Sequence, residues 1–441
     1  MTGFARLGGG QPGDDELTPV CRDLPDSACF EQPRNIALHV TSLSLTRVGE
    51  GLADAKLVLA WLLDAIGAPT WAMGLLVPVR ESLAMLPQLL ISAWIRRRPL
   101  RKHVYVAGCV VQGASIIGIG AVALTLSGTL AGIFAIALIA AFALGRSLCS
   151  ISHKDVLAKT VDKGRRASVS GVAGSVAAAV TLLTAVAYSA GWLPLTVPVV
   201  AGAVIVGGLA WLLAALVFES IREVPGATEG AVDGALAAVI AQFALLRSDT
   251  RLRQLIITRV LLLSTALAPP FYIALSGDFE PGGLGTLGQF MIASAAAALV
   301  SAYVWGHLAD RSSRRVLMAA AALAALANGV AAFTALVWPQ RLEADLFLPA
   351  MLFVLMTAHQ GVRLARSVHV VDMADLANRA AYTALSNSVV GLVLLAGGVF
   401  GVIGQVFGVA TVLAVFALMA ALAVITASGL DEVQAVPAGT G

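Results

Sequence analysis

A chain of 441 residues that is 58% hydrophobic and 12% charged, with a mean hydropathy of +0.87, is too apolar for a soluble domain, where about 25% of residues are charged. Its apolar residues fall in continuous blocks near the ~20 residues a membrane helix needs, not in alternation, which excludes a β-barrel and predicts an all-α polytopic membrane protein. The net charge is only +3, so its placement says more than its size.

In chain order, residues 1–35 contain Gly8-Gly9-Gly10, Pro12, Asp14, Asp15 and Glu16 where a secretory signal peptide has basic and apolar regions, and a flexible tail is expected. Twelve apolar runs follow, at 37–63, 71–95, 104–126, 130–151, 168–191, 197–218, 255–275, 286–309, 315–338, 346–370, 381–404 and 406–428. Charge interrupts the first. Residues 219–254 are the longest internal polar stretch and divide the runs six and six. Within them Leu236, Val239, Ile240 and Phe243 recur at helical spacing, which predicts a short surface helix in a linker. The expected organisation is a six-helix bundle at 36–218, a linker at 219–254, a second six-helix bundle at 255–429 and a tail at 430–441. Cys21, Cys29, Cys109 and Cys149 lack metal-like spacing; the first two read as tail thiols, the others as small buried residues.

Basic residues gather after every second run. Arg96, Arg97, Arg98, Arg101 and Lys102 follow the second; Lys154, Lys159, Lys163, Arg165 and Arg166 follow the fourth. Arg222, Arg247, Arg251 and Arg253 follow the sixth, Arg311, Arg314 and Arg315 the eighth, and Arg379 the tenth, while the alternate connections hold little beyond Arg341. By the positive-inside rule both termini are expected in the cytoplasm, with the chain in the inner membrane. A shift of about 213 residues lays Arg101-Lys102 on Arg314-Arg315, and one near 217 lays Ser150 and Asp155 on Ser367 and Asp372. The halves therefore read as a duplication with a binding site between them.

The stretch Gly306-His307-Leu308-Ala309-Asp310-Arg311-Ser312-Ser313-Arg314-Arg315 resembles the loop signature G-x-L-A-D-R-x-G-R-R of the major facilitator superfamily, with Ser313 in place of the usual glycine. In that family one copy stands between helices 2 and 3 and another between helices 8 and 9. Here the second copy is the better one; in the first, Ala93, Ile95, Arg97 and Arg98 occupy the positions of Gly, Leu, Asp and Arg. The resemblance covers roughly residues 36–430 and implies two pseudo-symmetric six-helix bundles whose first, fourth, seventh and tenth helices line a cavity. It also implies a gating loop of Gly306, Asp310, Arg311, Arg314 and Arg315, with the Asp310 carboxylate facing the positive start of the fifth helix near Arg166 and Ser168. The first copy has no acid to do the same for the eleventh helix. The fifth helix lacks the glycine-proline pattern of many drug/proton antiporters of the family, which counts against multidrug export.

Charge within a membrane span needs a partner or a water-filled cavity. The first run carries Arg47, Glu50, Asp54 and Lys56; at spacings of three and four, Arg47, Glu50 and Asp54 share a face of a continuous helix. That face either lines the central cavity, with Glu50 or Asp54 as a proton-coupling group, or pairs with itself. Arg80 and Glu81 are adjacent, so their spacing alone does not make them an ion pair; partners on neighbouring helices are expected, with substrate contact the alternative. By the family resemblance Arg146, Arg259, Gln360 and Arg363 lie on cavity-lining helices, where arginine forks suit a carboxylate or phosphate. The alternative is that Arg146, Arg259 and Arg366 snorkel to a membrane surface. His359 reads as a packing histidine.

No phosphate-binding loop, metal spacing or nucleophile elbow occurs in the sequence, so neither an enzyme nor an ATP-driven pump is expected, and no cofactor, metal or nucleic-acid partner. The expected function is secondary active transport of a small solute, an organic anion or amphiphile, by alternating access with proton coupling, in a monomer surrounded by lipid. A sensor or assembly protein, with a packed dry centre, and a lipid flippase, with a cavity open to lipid, are the alternatives.

Overall fold

The computed structural model describes residues 26–88, 91, 94–95, 97–226, 249–277, 286–309, 311–343, 346–373 and 379–434. Among them there is no strand. A bilayer interior offers the backbone no water, so continuous apolar runs close their hydrogen bonds within helices. The first part holds α1 (Asp26–Leu52), α2 (Val58–Ala65), α3 (Thr70–Met85), α4 (Lys102–Thr125), α5 (Gly128–Thr160), α6 (Arg166–Ser189) and α7 (Val197–Glu219). The second holds α8 (Thr250–Leu261), α9 (Ser264–Leu267), α10 (Pro269–Gly277), α11 (Thr286–Ala309), α12 (Ser313–Val337), α13 (Phe347–Met373), α14 (Arg379–Ala396), α15 (Val399–Phe407) and α16 (Val409–Ser428). Nine spans among the described residues are long and apolar enough to cross a membrane, with α8–α10 and α14–α15 each counting as one broken span.

Several expected boundaries move. Residues 26–35 are not a flexible tail but the start of α1, because that turn is anchored through polar groups instead of apolar ones. Asn35 donates to Arg222 O (3.3 Å) and accepts from Arg222 N (3.2 Å), and Glu31 pairs with Arg222. Cys29 is disulfide-bonded, which corrects its reading as a chance tail thiol. Cys109 and Cys149 keep free thiols. Nor is the segment after residue 429 wholly a tail: Glu432 accepts from Ser312 Oγ (2.7 Å), and Gln434 Oε1 from Ser313 N (3.0 Å). The expected linker helix at 236–243 lies outside the described residues.

The long helices pack through small residues. An added Cβ at Gly113 of α4 would lie 2.8 Å from Gly208 O of α7, so the two backbones touch as closely as glycine allows. Around this pair α4 also packs on α5, while α1 lies against α6 and α7. In the second part α12 packs on α13 and α16, and α11 on α13. The two parts meet through α2 with α10, α3 with α14 and α15, and α6 with α11. Gly408, at φ +87°, turns α15 directly into α16.

Candidate functional site

The first span does not continue through its charged stretch. α1 ends at Leu52, and Asp54 Oδ1 accepts from the backbone N–H of Lys56 and of Leu57, each at 3.0 Å, capping the turn at 55–57 that leads into α2. Asp54 therefore does not share a helical face with Arg47 and Glu50, contrary to the spacing argument, because a side chain that can cap competes with helix propagation. The break turns Lys56 inward. Its Nζ donates to His359 Nε2 of α13 at 3.0 Å, which leaves Nδ1 to donate to Thr265 Oγ1 of α9 at 3.1 Å. The Thr265 hydroxyl in turn donates to Leu262 O, at 2.8 Å. His359, expected only to pack, thus bridges the two parts of the chain, and Lys56 is its partner.

On α1, Glu50 sits between two guanidinium groups. It pairs with Arg146 of α5 and lies 3.5 Å from Arg80 Nη2 of α3. Arg80, only 8% exposed, also bonds Glu81 Oε1 at 2.7 Å and lies over the Phe142 ring. Arg80 thus has the expected acid on a neighbouring helix, Glu50, and pairs with its own neighbour as well, since a long arginine can fold back. Arg146 and Glu50 border a cavity of about 280 Å³ whose wall also includes Arg47, Gln112, His153 and Lys154. Arg47 Nη1 donates to Ser170 O at 2.6 Å, tying α1 to α6.

In the second part, Arg259 and Arg363 within the spans form no ion pair among the described residues. Arg259 is 7% exposed, so it does not snorkel; it donates to Ser386 Oγ and to Asn387 Oδ1 (3.0 Å), and its buried Nε has no partner among the described residues. Arg363 is exposed and forms no ion pair among the described residues. It neighbours Lys56, His359 and Arg366 electrostatically, whereas Glu81 is the acid that faces Arg366 and Lys56. Gln360 points away from this cluster, into an apolar cavity beside Asp54.

Beyond the site, the two basic loops are each held by acids. Glu223 accepts from Arg101 N (2.8 Å) and Lys102 N (2.8 Å) and pairs with Lys159 (3.0 Å), while Asp155 pairs with Arg101 and with Lys159 (2.9 Å). Around the second loop, Glu432 lies 3.4 Å from Arg314 Nε, and Asp372 accepts from Gln434 at 2.8 Å. Thus the eroded first loop does have acids, borrowed from α5 and from the residues after α7. Of the signature residues, Arg311 and Arg315 are exposed, Gly306 lies in the last turn of α11, and Asp310 lies outside the described residues. The sequence names Lys56 among the charges of the first run but gives it no role, and it does not single out Glu223 or Glu432. The available signal was an acid just past the sixth run and another just past the twelfth.

The two parts close on each other at the end away from those basic loops. An added Cβ at Gly401 of α15 would lie 2.8 Å from Trp71 O of α3, and one at Gly288 of α11 would lie 2.6 Å from Ser189 N at the end of α6. Thr70 N donates to Gln405 Oε1 at 2.8 Å at the same end.

A helical assembly of this kind, closed at one end around a charged centre, defines a multi-pass membrane protein with the major facilitator fold. It superposes on a mutant of the nucleoside transporter NupG with a TM-score of 0.68 at 14% identity, covering 89% of this chain and 99% of that one. It matches a D-xylose-proton symporter with a TM-score of 0.65 at 13% identity (90% and 98% covered). A POT family transporter in complex with 5-aminolevulinic acid gives 0.65 at 11% identity (90% and 95% covered). No protein-family model matches the sequence, and no curated protein is similar to it by sequence.

Proposed function

We propose that the chain is a secondary transporter that carries a small organic anion across the inner membrane by alternating access of two six-helix halves. The observation that carries this reading is the surplus of positive charge where the break between α1 and α2 meets α13. Lys56, Arg80, Arg363 and Arg366 gather there against Asp54 and Glu81. A solvated anion entering that centre gains charge-assisted hydrogen bonds from the fork of Arg363, which forms no ion pair among the described residues.

Glu50 is the coupling acid in this scheme. Asp54 already holds two backbone N–H groups, which favours Glu50 over it. Protonating Glu50 removes the negative charge between Arg146 and Arg80, which raises the positive charge of the centre and favours the solute anion at Arg363. Proton and anion would load together. The matched acid clusters around the two basic loops support paired halves, and the positive-inside rule puts those loops and both termini in the cytoplasm. Gly306, Asp310, Arg311, Arg314 and Arg315 serve as the gate, so Asp310→Asn shifts the inward/outward balance in a site-accessibility assay.

The test is a thermal-shift screen of carboxylates and phosphate esters on purified protein, followed by counterflow in liposomes with each hit. Exchange of a stabilising anion is the expected result. Hits that bind without exchanging would overturn transport in favour of a sensor.

A further inference from the structure

We propose that the first part of the chain holds a second anion site, a pocket between α1 and α5 that binds a compact dianion such as a short dicarboxylate. It is separate from the solute position proposed at Arg363 and does not depend on transport.

The pocket is the polar cavity of about 280 Å³, at the small end of the ~300–1,000 Å³ usual for ligand pockets. Helical spacing builds its charged walls. Arg146, Ser150 and Lys154 recur at every fourth residue of α5 and stack on one face, while Arg47 and Glu50 stand three apart on α1. The charges do not balance. Among the described residues that line the pocket Glu50 is the one acid, and it is already held by Arg146 and by Arg80, which lies outside. Arg47 and Lys154 form no ion pair among the described residues. Arg47 commits Nη1 to Ser170 O, at 2.6 Å, and keeps the other donors of its fork. With Arg146 matched by Glu50, two cations are left over, so an occupant with two negative charges balances the wall. A monoanion leaves one of them unmatched.

His153 points the same way. It neighbours both Arg47 and Lys154 electrostatically, and its Nε2 is buried without a hydrogen-bond partner among the described residues. Buried polar atoms of a folded protein rarely go without one. An oxyanion held by Arg47 and Lys154 can accept from Nε2 in the tautomer protonated there. The approach is graded as well. Lys154 is exposed and near the end of α5, whereas Arg47 and Arg146 are half-buried, so an anion from water meets Lys154 first. The arginine forks then hold it through charge-assisted hydrogen bonds.

Purified full-length protein can be titrated calorimetrically with succinate and with butyrate, its single-charge counterpart, at fixed ionic strength. Succinate should bind at least about tenfold more tightly, the scale of one added charge-assisted hydrogen bond. Lys154→Gln, at an exposed position, should remove that preference and Lys154→Arg should keep it. Arg363→Gln, at the separate solute position, should leave it in place, as should Arg165→Gln, an exposed cation outside the pocket. Equal affinity for the two anions, or no binding of succinate, overturns the pocket, and butyrate bound through Arg363 would then still support the anion reading. A preference that survives Lys154→Gln, or one lost in Arg363→Gln, overturns the separate site by moving the dianion elsewhere. An equal loss in Arg165→Gln overturns it in favour of diffuse attraction to the basic surface.

Discussion

The two parts of the chain treat charge in opposite ways. In the first, Glu50, Arg80, Glu81 and Arg146 form a nearly balanced network across α1, α3 and α5. In the second, Arg259 relies on a serine and an asparagine, Arg363 has no acidic partner among the described residues, and none of the apolar runs holds an aspartate or glutamate. A balanced network can exchange protons by breaking and remaking ion pairs, whereas isolated cations wait for an anion from outside. In the transport scheme proposed above, this difference puts coupling in the first half and solute binding in the second.

The strongest way to break that division is Arg363→Gln. It should lower anion counterflow about 10- to 100-fold, the loss expected for a charge-assisted hydrogen bond, while leaving the melting temperature unchanged. Glu50→Gln should do the reverse in kind: counterflow persists, but a pH gradient no longer drives accumulation. If Glu50→Gln abolished counterflow and Arg363→Gln uncoupled it, the assignment of the halves would be inverted. The packing between the parts is tested by Gly401→Val, which meets Trp71 O and should cost about 1–3 kcal/mol in thermal unfolding by overpacking. Gly171→Ala meets nothing within 4 Å and should be neutral or slightly stabilising in the same assay.

Smaller effects lie at the rims. Glu223→Gln, at a fully buried side chain holding the start of α4, should lower stability by about 1 kcal/mol, the scale of a lost cap. The smallest effect concerns Asp249, which caps α8. Slight burial raises its carboxyl pKa, but hydrogen bonds from Tyr382 (2.5 Å), Leu252 N and Arg251 N, with the Arg251 charge, outweigh this and hold it below the ordinary 3.8. A depressed carboxyl contributes stability above its unfolded pKa and loses it as pH falls through the folded one. Tyr382→Phe should therefore move acid destabilisation below pH 4 to a slightly higher pH, and an unchanged acid limb would show that the bond contributes nothing measurable.

What was legible in the sequence was whatever depends on continuous hydrophobicity. The runs at 104–126, 197–218 and 315–338 lie within a few residues of α4, α7 and α12, because nothing in them competes with the helix. The start of α1 was not legible, since Asn35 and Glu31 are satisfied by Arg222, far away in sequence, and read locally as tail composition. Glu50 and Arg146 were singled out separately, one as an acid and one as an anion binder, yet they meet. Pairing across spans leaves no local trace. The break at Asp54 had a trace, an acid just ahead of a fresh apolar run, but helical spacing on either side outweighed it.

That break also gives the first span a joint. A continuous helix transmits force along its whole length, whereas α1 and α2 can tilt separately about residues 53–57. Lys56 sits in the joint and is tied across the protein to His359. A ligand that draws Lys56 away from His359 therefore acts at the one point of the span from which both arms can be moved at once. Occupancy at the centre can then be felt as leverage at either membrane face.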